Sequence, residues 1–170
     1  MSYVALIESR VDALALVQVG VRLTYVRATT GLPEQFLRDL WRDVHGKSPA
    51  PGGTYSEVDS GLRNIKQRRE AAAFANLYFT AVEGKEIKSI QPRRFIQAWK
   101  AFRELLPDAD MNPTLGWTII RNLCAKLTRL ETCNVCGTGF IRHAEQYGRS
   151  ARCPFCADRS TRSGVINYGR

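Results

Sequence analysis

Two cysteine pairs near the end of the chain constrain its fold more than any other feature: Cys133-Asn134-Val135-Cys136, then sixteen residues from Gly137 to Arg152, then Cys153-Pro154-Phe155-Cys156. Each Cys-x-x-Cys pair can curl into a tight knuckle presenting two sulfurs, and the span between has room for a hairpin that closes a tetrahedron around a metal ion. Gly137 suits the turn of the first knuckle. Four thiolates leave Zn²⁺ no open position for water, so the expected cofactor is one structural zinc. The same residues could instead make two redox dithiols or two disulfides. Against these, neither pair has the strand-then-helix setting of a thioredoxin-like dithiol.

The 38 residues from Cys133 onward are too few to bury a sufficient core without a staple. A structural zinc contributes roughly 10 to 16 kcal/mol of apparent binding energy, so this end is expected to be folded with metal and loose without it. The predicted organisation is mainly α: a helical domain over 1–132 and a zinc-ribbon-like module over 133–170. Within the module, Phe140 and Ile141 suit a strand, Gln146-Tyr147-Gly148 a turn, and Ser150 to Arg152 a return strand.

The net charge of +9 is unevenly spread, at −1 over residues 1–60, +6 over 61–132 and +4 over 133–170. A phosphate backbone would meet the later two-thirds, and the first third suits a protein partner better. Basic residues cluster at Arg63, Lys66, Arg68 and Arg69, at Lys85 and Lys88, at Arg93 and Arg94, and on the module at Arg142, Arg149, Arg152, Arg159 and Arg162, with His143 among them. Arg93, Arg94, Arg142, His143, Arg149, Arg152, Arg159 and Arg162 are the candidate DNA contacts. The N-terminus lacks a basic leader, and its apolar run is broken by Glu8, Arg10 and Asp12, so neither a signal peptide nor a membrane span is expected. The expected location is the cytoplasm, where reduced cysteines are available to a metal.

From Val4, apolar residues recur at Ile7, Val11, Leu14, Val21 and Tyr25, predicting an amphipathic helix with a narrow seam. Leu6, Leu16, Val19 and Leu23 widen the apolar surface, so the helix needs company on two sides, and Val4, Ile7, Val11, Leu14 and Val21 are the candidate partner contacts. Leu23 to His45 has the outline of helix, turn at Gly31-Leu32-Pro33, helix. Its second helix sets Glu34, Asp39 and Asp43 against Arg38 and Arg42, a poor match to phosphate, which favours a structural or subunit-contact pair. The proline and glycine loop from Gly46 to Gly53 then ends this unit, with His45 an ordinary helix-end residue.

Three more helices are predicted: about Arg69 to Val82, ending at Gly84; Pro92 to Pro107, with Phe95, Trp99, Phe102 and Leu106 inward; and one capped by Asn112, with Trp117, Ile120, Cys124 and Leu127 along a face. Cys124 reads as a small apolar core residue. No glycine-rich phosphate loop and no nucleophile and base are arranged for hydrolysis or group transfer, so no enzymatic activity is expected.

The run Cys133-Asn134-x-Cys136-Gly137-x-x-Phe140-Ile141-x-His143-Ala144, followed by Cys153-x-x-Cys156, resembles FlhC, the C subunit of the bacterial flagellar master transcription activator. The similarity extends back through Gly20-x-Arg22-Leu23, the turn region after Thr30, and the Ser48-Pro49-x-Pro51-x-Gly53 loop. The resemblance implies a mostly helical protein whose Cys133, Cys136, Cys153 and Cys156 bind one zinc. It also implies a helical partner subunit, FlhD, and a hetero-oligomer that binds promoter DNA upstream of flagellar operons and recruits RNA polymerase. Family members can continue through a basic tail, whereas this sequence stops at Tyr168-Gly169-Arg170.

Overall fold

The computed structural model describes residues 2–50, 62, 64–80, 89–143 and 152–157, with only the backbone of His143. In chain order the elements are α1 (Tyr3–Gln18), α2 (Leu23–Thr30), α3 (Glu34–His45), α4 (Ile65–Thr80), α5 (Pro92–Leu105), α6 (Pro113–Cys124), β1 (Thr128–Thr132) and β2 (Gly139–His143). No described helix is long and apolar enough to cross a membrane. The chain is thus mainly helical, as predicted. The predicted features at Pro51 to Gly53, Ala81, Val82, Gly84 and Gln146 to Gly148 lie outside the described residues.

Ser2 caps α1, its hydroxyl accepting from the Ala5 N–H at 3.2 Å. The predicted seam does not run on to Tyr25. Gly20 adopts φ +87°, which a side chain tolerates poorly, and the chain turns there from α1 into α2. Val21 therefore leaves the seam and is fully buried in the core, which corrects its assignment as a partner contact. The core-facing side of α1 is Ala13, Leu16 and Val17. Val4, Ile7, Val11 and Leu14 stand on the other side, 67%, 49%, 53% and 38% exposed.

The helix pair α2–α3 forms where expected, with Gly31 and Gly46 in left-handed conformation closing each helix. His45 does more than end a helix, because its Nε2 lies 2.9 Å from the Val17 carbonyl oxygen and ties α3 to the end of α1. Tyr25 joins α2 to α6. Thr118 Oγ1 donates to the Thr114 carbonyl at 2.9 Å, so at 3.0 Å it is the acceptor for the Tyr25 hydroxyl.

The body of the core is aromatic. Phe74 of α4 meets Phe95, Trp99 and Phe102 of α5 edge-on, with ring centroids 5.5, 5.6 and 5.6 Å apart. Trp117 of α6 closes the cluster against Phe95 at 4.8 Å. Pro92 and Pro113 open their helices, and Asn112 accepts from the Leu115 N–H at 2.8 Å. Leu106, predicted to face inward, is the C-cap of α5 and 39% exposed, and two further details differ from expectation. Helix α6 stops at Cys124, leaving Leu127 in the following turn and 56% exposed. Phe140 and Ile141 pair with a strand that was not predicted, β1, antiparallel with Leu130 opposite Ile141; of the predicted return strand, Ser150 and Ala151 lie outside the described residues and Arg152 lies in a bend. The strand pairing thus crosses the predicted boundary at residue 132.

Candidate metal centre

The sheet places the first knuckle by its own geometry. β1 and β2 pair from Thr128 opposite His143 to Thr132 opposite Gly139, so the connection Cys133 to Thr138 is the tip of a hairpin. There the Cys133 N–H donates to the Thr138 carbonyl at 3.0 Å, and the Gly137 N–H to the Cys133 carbonyl at 2.8 Å, with Gly137 at φ +70° as its expected turn role requires. The second knuckle repeats the turn, the Cys156 and Ala157 N–H groups donating to the Cys153 carbonyl at 3.2 and 3.1 Å.

The two knuckles face one another. Cys133 Sγ lies 3.8 Å from Cys156 Sγ, Cys136 Sγ lies 3.7 Å from Cys153 Sγ, and all four sulfurs fall within 4.8 Å of one another. An ion bonded tetrahedrally to four sulfurs at about 2.3 Å would hold them about 3.8 Å apart. A disulfide needs sulfurs at about 2.0 Å, and all five cysteines are free. The four predicted ligands are therefore gathered where they could hold a metal ion, and Cys124, half-buried on α6, is not among them.

The electrostatics of the cluster fit a cation. The Thr138 hydroxyl and then its N–H stabilise the Cys136 thiolate, drawing its pKa down to about 6, and the Cys136 and Val135 N–H groups lower that of Cys133. Cys156 is pushed up to about 12, first by sharing a proton with Cys136 and then by burial, and burial raises Cys153. Four thiols so close cannot all ionise on their own, because each thiolate repels the next. A divalent cation removes that conflict and takes all four as thiolates.

Helix α4 is bonded to the module through two arginines of the first basic cluster and through Asn76. Arg68 donates to the Arg152 carbonyl at 2.7 Å and Arg69 to the Pro154 carbonyl at 2.9 Å, gripping the backbone on either side of Cys153. Asn76 Nδ2 donates to the Gly139 carbonyl at 2.8 Å and to Ala72 of its own helix at 2.7 Å. Ala72 packs with Cys133, Phe140 and Cys153, so α4 floors the cluster with a residue too small to obstruct it. These roles depend on contacts spanning 84, 85 and 63 residues, which no local pattern signals.

Gly139 is as small as its place demands. A Cβ there would come within 3.1 Å of the Asn76 Cγ and closer still to its Oδ1. Gly139→Ala is expected to displace Asn76 and cost about 1–3 kcal/mol. Denaturant titration would measure that loss, and chelator-driven metal release should quicken in step.

Of the candidate nucleic-acid contacts, the side chains of Arg93, Arg94, Arg142 and Arg152 are described. Arg93 faces Glu8 and Asp12 of α1 at 3.7 and 3.8 Å, and Arg94 lies over the Tyr78 ring at 5.9 Å. Arg142 pairs across the hairpin with Glu131 at 3.1 Å. Arg152 is exposed on the second knuckle. Arg149, Arg159, Arg162 and the side chain of His143 lie outside the described residues. Lys66, from the first basic cluster, is engaged by Asp110 at 2.5 Å and by the buried Glu70 at 3.7 Å.

Comparison with known proteins places the chain among named relatives. Proteins named flagellar transcriptional regulator FlhC are similar to the chain: 26% identical in Variovorax paradoxus (strain S110), covering 85% of this chain and 72% of the relative. The Cupriavidus metallidurans protein of that name is 25% identical over 85% and 68% of the two chains, and that of Pectobacterium carotovorum 24% over 85% and 76%. A family model described as flagellar transcriptional activator (FlhC) matches residues 3–167, nearly the whole sequence and the four clustered cysteines with it, and the chain therefore belongs to the FlhC family.

Proposed function

We propose that this chain is the DNA-binding subunit of a hetero-oligomeric transcription activator, acting in the cytoplasm on flagellar operons by binding upstream promoter DNA and recruiting RNA polymerase. The observation that carries the reading is the family match over residues 3–167. Cys133, Cys136, Cys153 and Cys156 hold one Zn²⁺, which supplies a fixed link between the two knuckles and no reactive position. A divalent ion with four thiolates carries net negative charge, and Arg68, half-buried beside Cys153, supplies a compensating cation from α4. With Arg68 and Arg69 engaged inward, phosphate contact falls to the other arginines of the module: Arg152, Arg149, Arg159, Arg162 and, in competition with Glu131, Arg142. Phosphate contacts supply affinity, and base contacts supply specificity.

The partner subunit, of the helical FlhD type, docks on the outward side of α1. Val4, Ile7, Val11 and Leu14 repeat at the three-four spacing of a helix-packing seam and are exposed together. Ile7→Asp with Val11→Asp is expected to abolish co-purification with an FlhD subunit while leaving the helical circular dichroism unchanged. Retained complex would place the interface elsewhere.

A second reading, a zinc-stapled interaction scaffold that does not read DNA itself, draws on the intramolecular engagement of Arg93, Arg94 and Arg142. Binding of a flagellar promoter fragment and a scrambled duplex across a salt series, with the chain co-purified with FlhD, decides between them. The activator binds the promoter alone, with a log-log salt slope of about −0.9 per phosphate neutralised. Arg152→Glu should weaken that binding and flatten the slope. Equal, weak retention of both duplexes would favour the scaffold.

A further inference from the structure

The β1–β2 hairpin carries a rung of like charge. Arg129 stands directly opposite Arg142 in the register, and the alternation of a strand puts Glu131 and Phe140 on the same face as this pair. On the other face Thr128 and Ile141 are buried, and Leu130 is packed against the core. Phe140 is covered in turn, packed with Ala72, Cys133 and Cys153. What the first face leaves to solvent is Arg129, exposed, with Arg142 and Glu131 half-exposed beside it.

Side chains directly opposite on antiparallel strands have Cβ atoms about 4.5–5.5 Å apart, and like charges so placed weaken the pairing. The carboxylate on this face is already engaged, since Glu131 accepts from Arg142 at 3.1 Å. The Arg129 guanidinium has no ion pair or hydrogen bond with another described residue. Nor does the nearby sequence supply a second acid: from Pro113 to His143 the single acidic residue is Glu131, against Arg121, Lys126, Arg129 and Arg142.

We infer that Arg129 is a DNA contact of this subunit, forming with Arg142 a phosphate clamp on the solvent face of the β1–β2 hairpin. The inference rests on the DNA-binding reading above and adds to it a residue that lies outside the basic clusters of the sequence. Two guanidinium groups sharing one carboxylate keep an excess positive charge. A backbone phosphate between them accepts from both and replaces their repulsion with two charge-assisted bonds. A ribbon that reads bases lays several side chains of one face into the major groove. Here Phe140 is covered and a single rung is left, which suits a contact that positions the duplex rather than reads it.

The test is the promoter titration above, run across the same salt series with the full, zinc-loaded complex. Arg129→Gln should weaken promoter binding about tenfold, the loss of one charge-assisted bond, and lower the log-log salt slope by about 0.9, one phosphate contact. At low salt it should weaken a scrambled duplex by the same factor, because a phosphate contact carries no sequence information. Glu131→Gln, which releases Arg142, should tighten binding to both duplexes. Lys100→Gln removes the same charge from an exposed position on α5 and should leave the slope unchanged. Because Arg129 faces a like charge, Arg129→Gln should keep or raise the denaturant midpoint, which separates loss of a contact from loss of fold. If the wild-type complex binds the promoter and Arg129→Gln keeps its affinity and slope, the clamp is overturned and the activator reading stands. A loss confined to the promoter makes Arg129 a base contact and overturns the phosphate assignment. A wild-type complex that binds no duplex overturns both the clamp and the reading beneath it.

Discussion

Cys153→Ser is expected to abolish stoichiometric metal binding and to release the two knuckles from one another. Serine offers a hard oxygen where the other three ligands are sulfur, and the four sulfurs now lie within 4.8 Å of one another. Structural zinc sites of this kind contribute roughly 10 to 16 kcal/mol of apparent binding energy, so losing most of it exceeds what any single side-chain contact here can offset. The measurements are metal per chain by atomic absorption, and hydrogen exchange at the Cys133, Gly137 and Cys156 amides, which are bonded within the knuckles. Cys124→Ser serves as the control and should change neither, since Cys124 lies on α6 outside the cluster. Full metal content and protected amides in Cys153→Ser would mean that a different ligand set holds the ion.

Phe74→Ala should cost about 3–5 kcal/mol, the range for deleting a buried aromatic ring. Phe74 is fully buried and is the ring on which Phe95, Trp99 and Phe102 converge. Set against a typical total of about 5–15 kcal/mol, that loss removes a large part of the margin. The effect should not stop at the helical body. Ala72, two residues earlier on α4, belongs to the cluster with Cys133 and Cys153, and Arg68, Arg69 and Asn76 of the same helix grip the module's backbone. Denaturant titration followed by circular dichroism and by release of metal to a chromogenic chelator should therefore give coincident transitions, both displaced to lower denaturant in the variant. Separate midpoints would show that the two cores unfold independently.

Much of this architecture was legible because its signals are local. The cysteine spacing marked the four sulfurs that cluster, and Gly31, Pro92, Pro107, Asn112 and Pro113 marked helix ends that α2, α3, α5 and α6 respect. The failures share a physical cause, in that each depended on what the segment meets in space. Val21 matched the seam spacing of α1, but the spacing argument assumed an unbroken helix, and Gly20 breaks it. Thr128 to Thr132 carries no strand prediction of its own, and only the register with Gly139 to His143 makes it a strand. Arg68 and Arg69 looked like solvent-facing cations because their carbonyl partners lie more than eighty residues away.

The grip of α4 on the second knuckle is made through main-chain carbonyls, those of Arg152 and Pro154, and not through their side chains. Attachment is therefore indifferent to what residue 152 is, so long as the backbone keeps its path. The outward side chain can be exchanged without loosening the module, whereas the inward arginines cannot. Mutational tolerance should accordingly divide at the peptide plane: permissive at Arg152, where charge sets what the surface meets, and strict at Arg68 and Arg69, where each guanidinium stands in for a stretch of hydrophobic core that a module this small does not have.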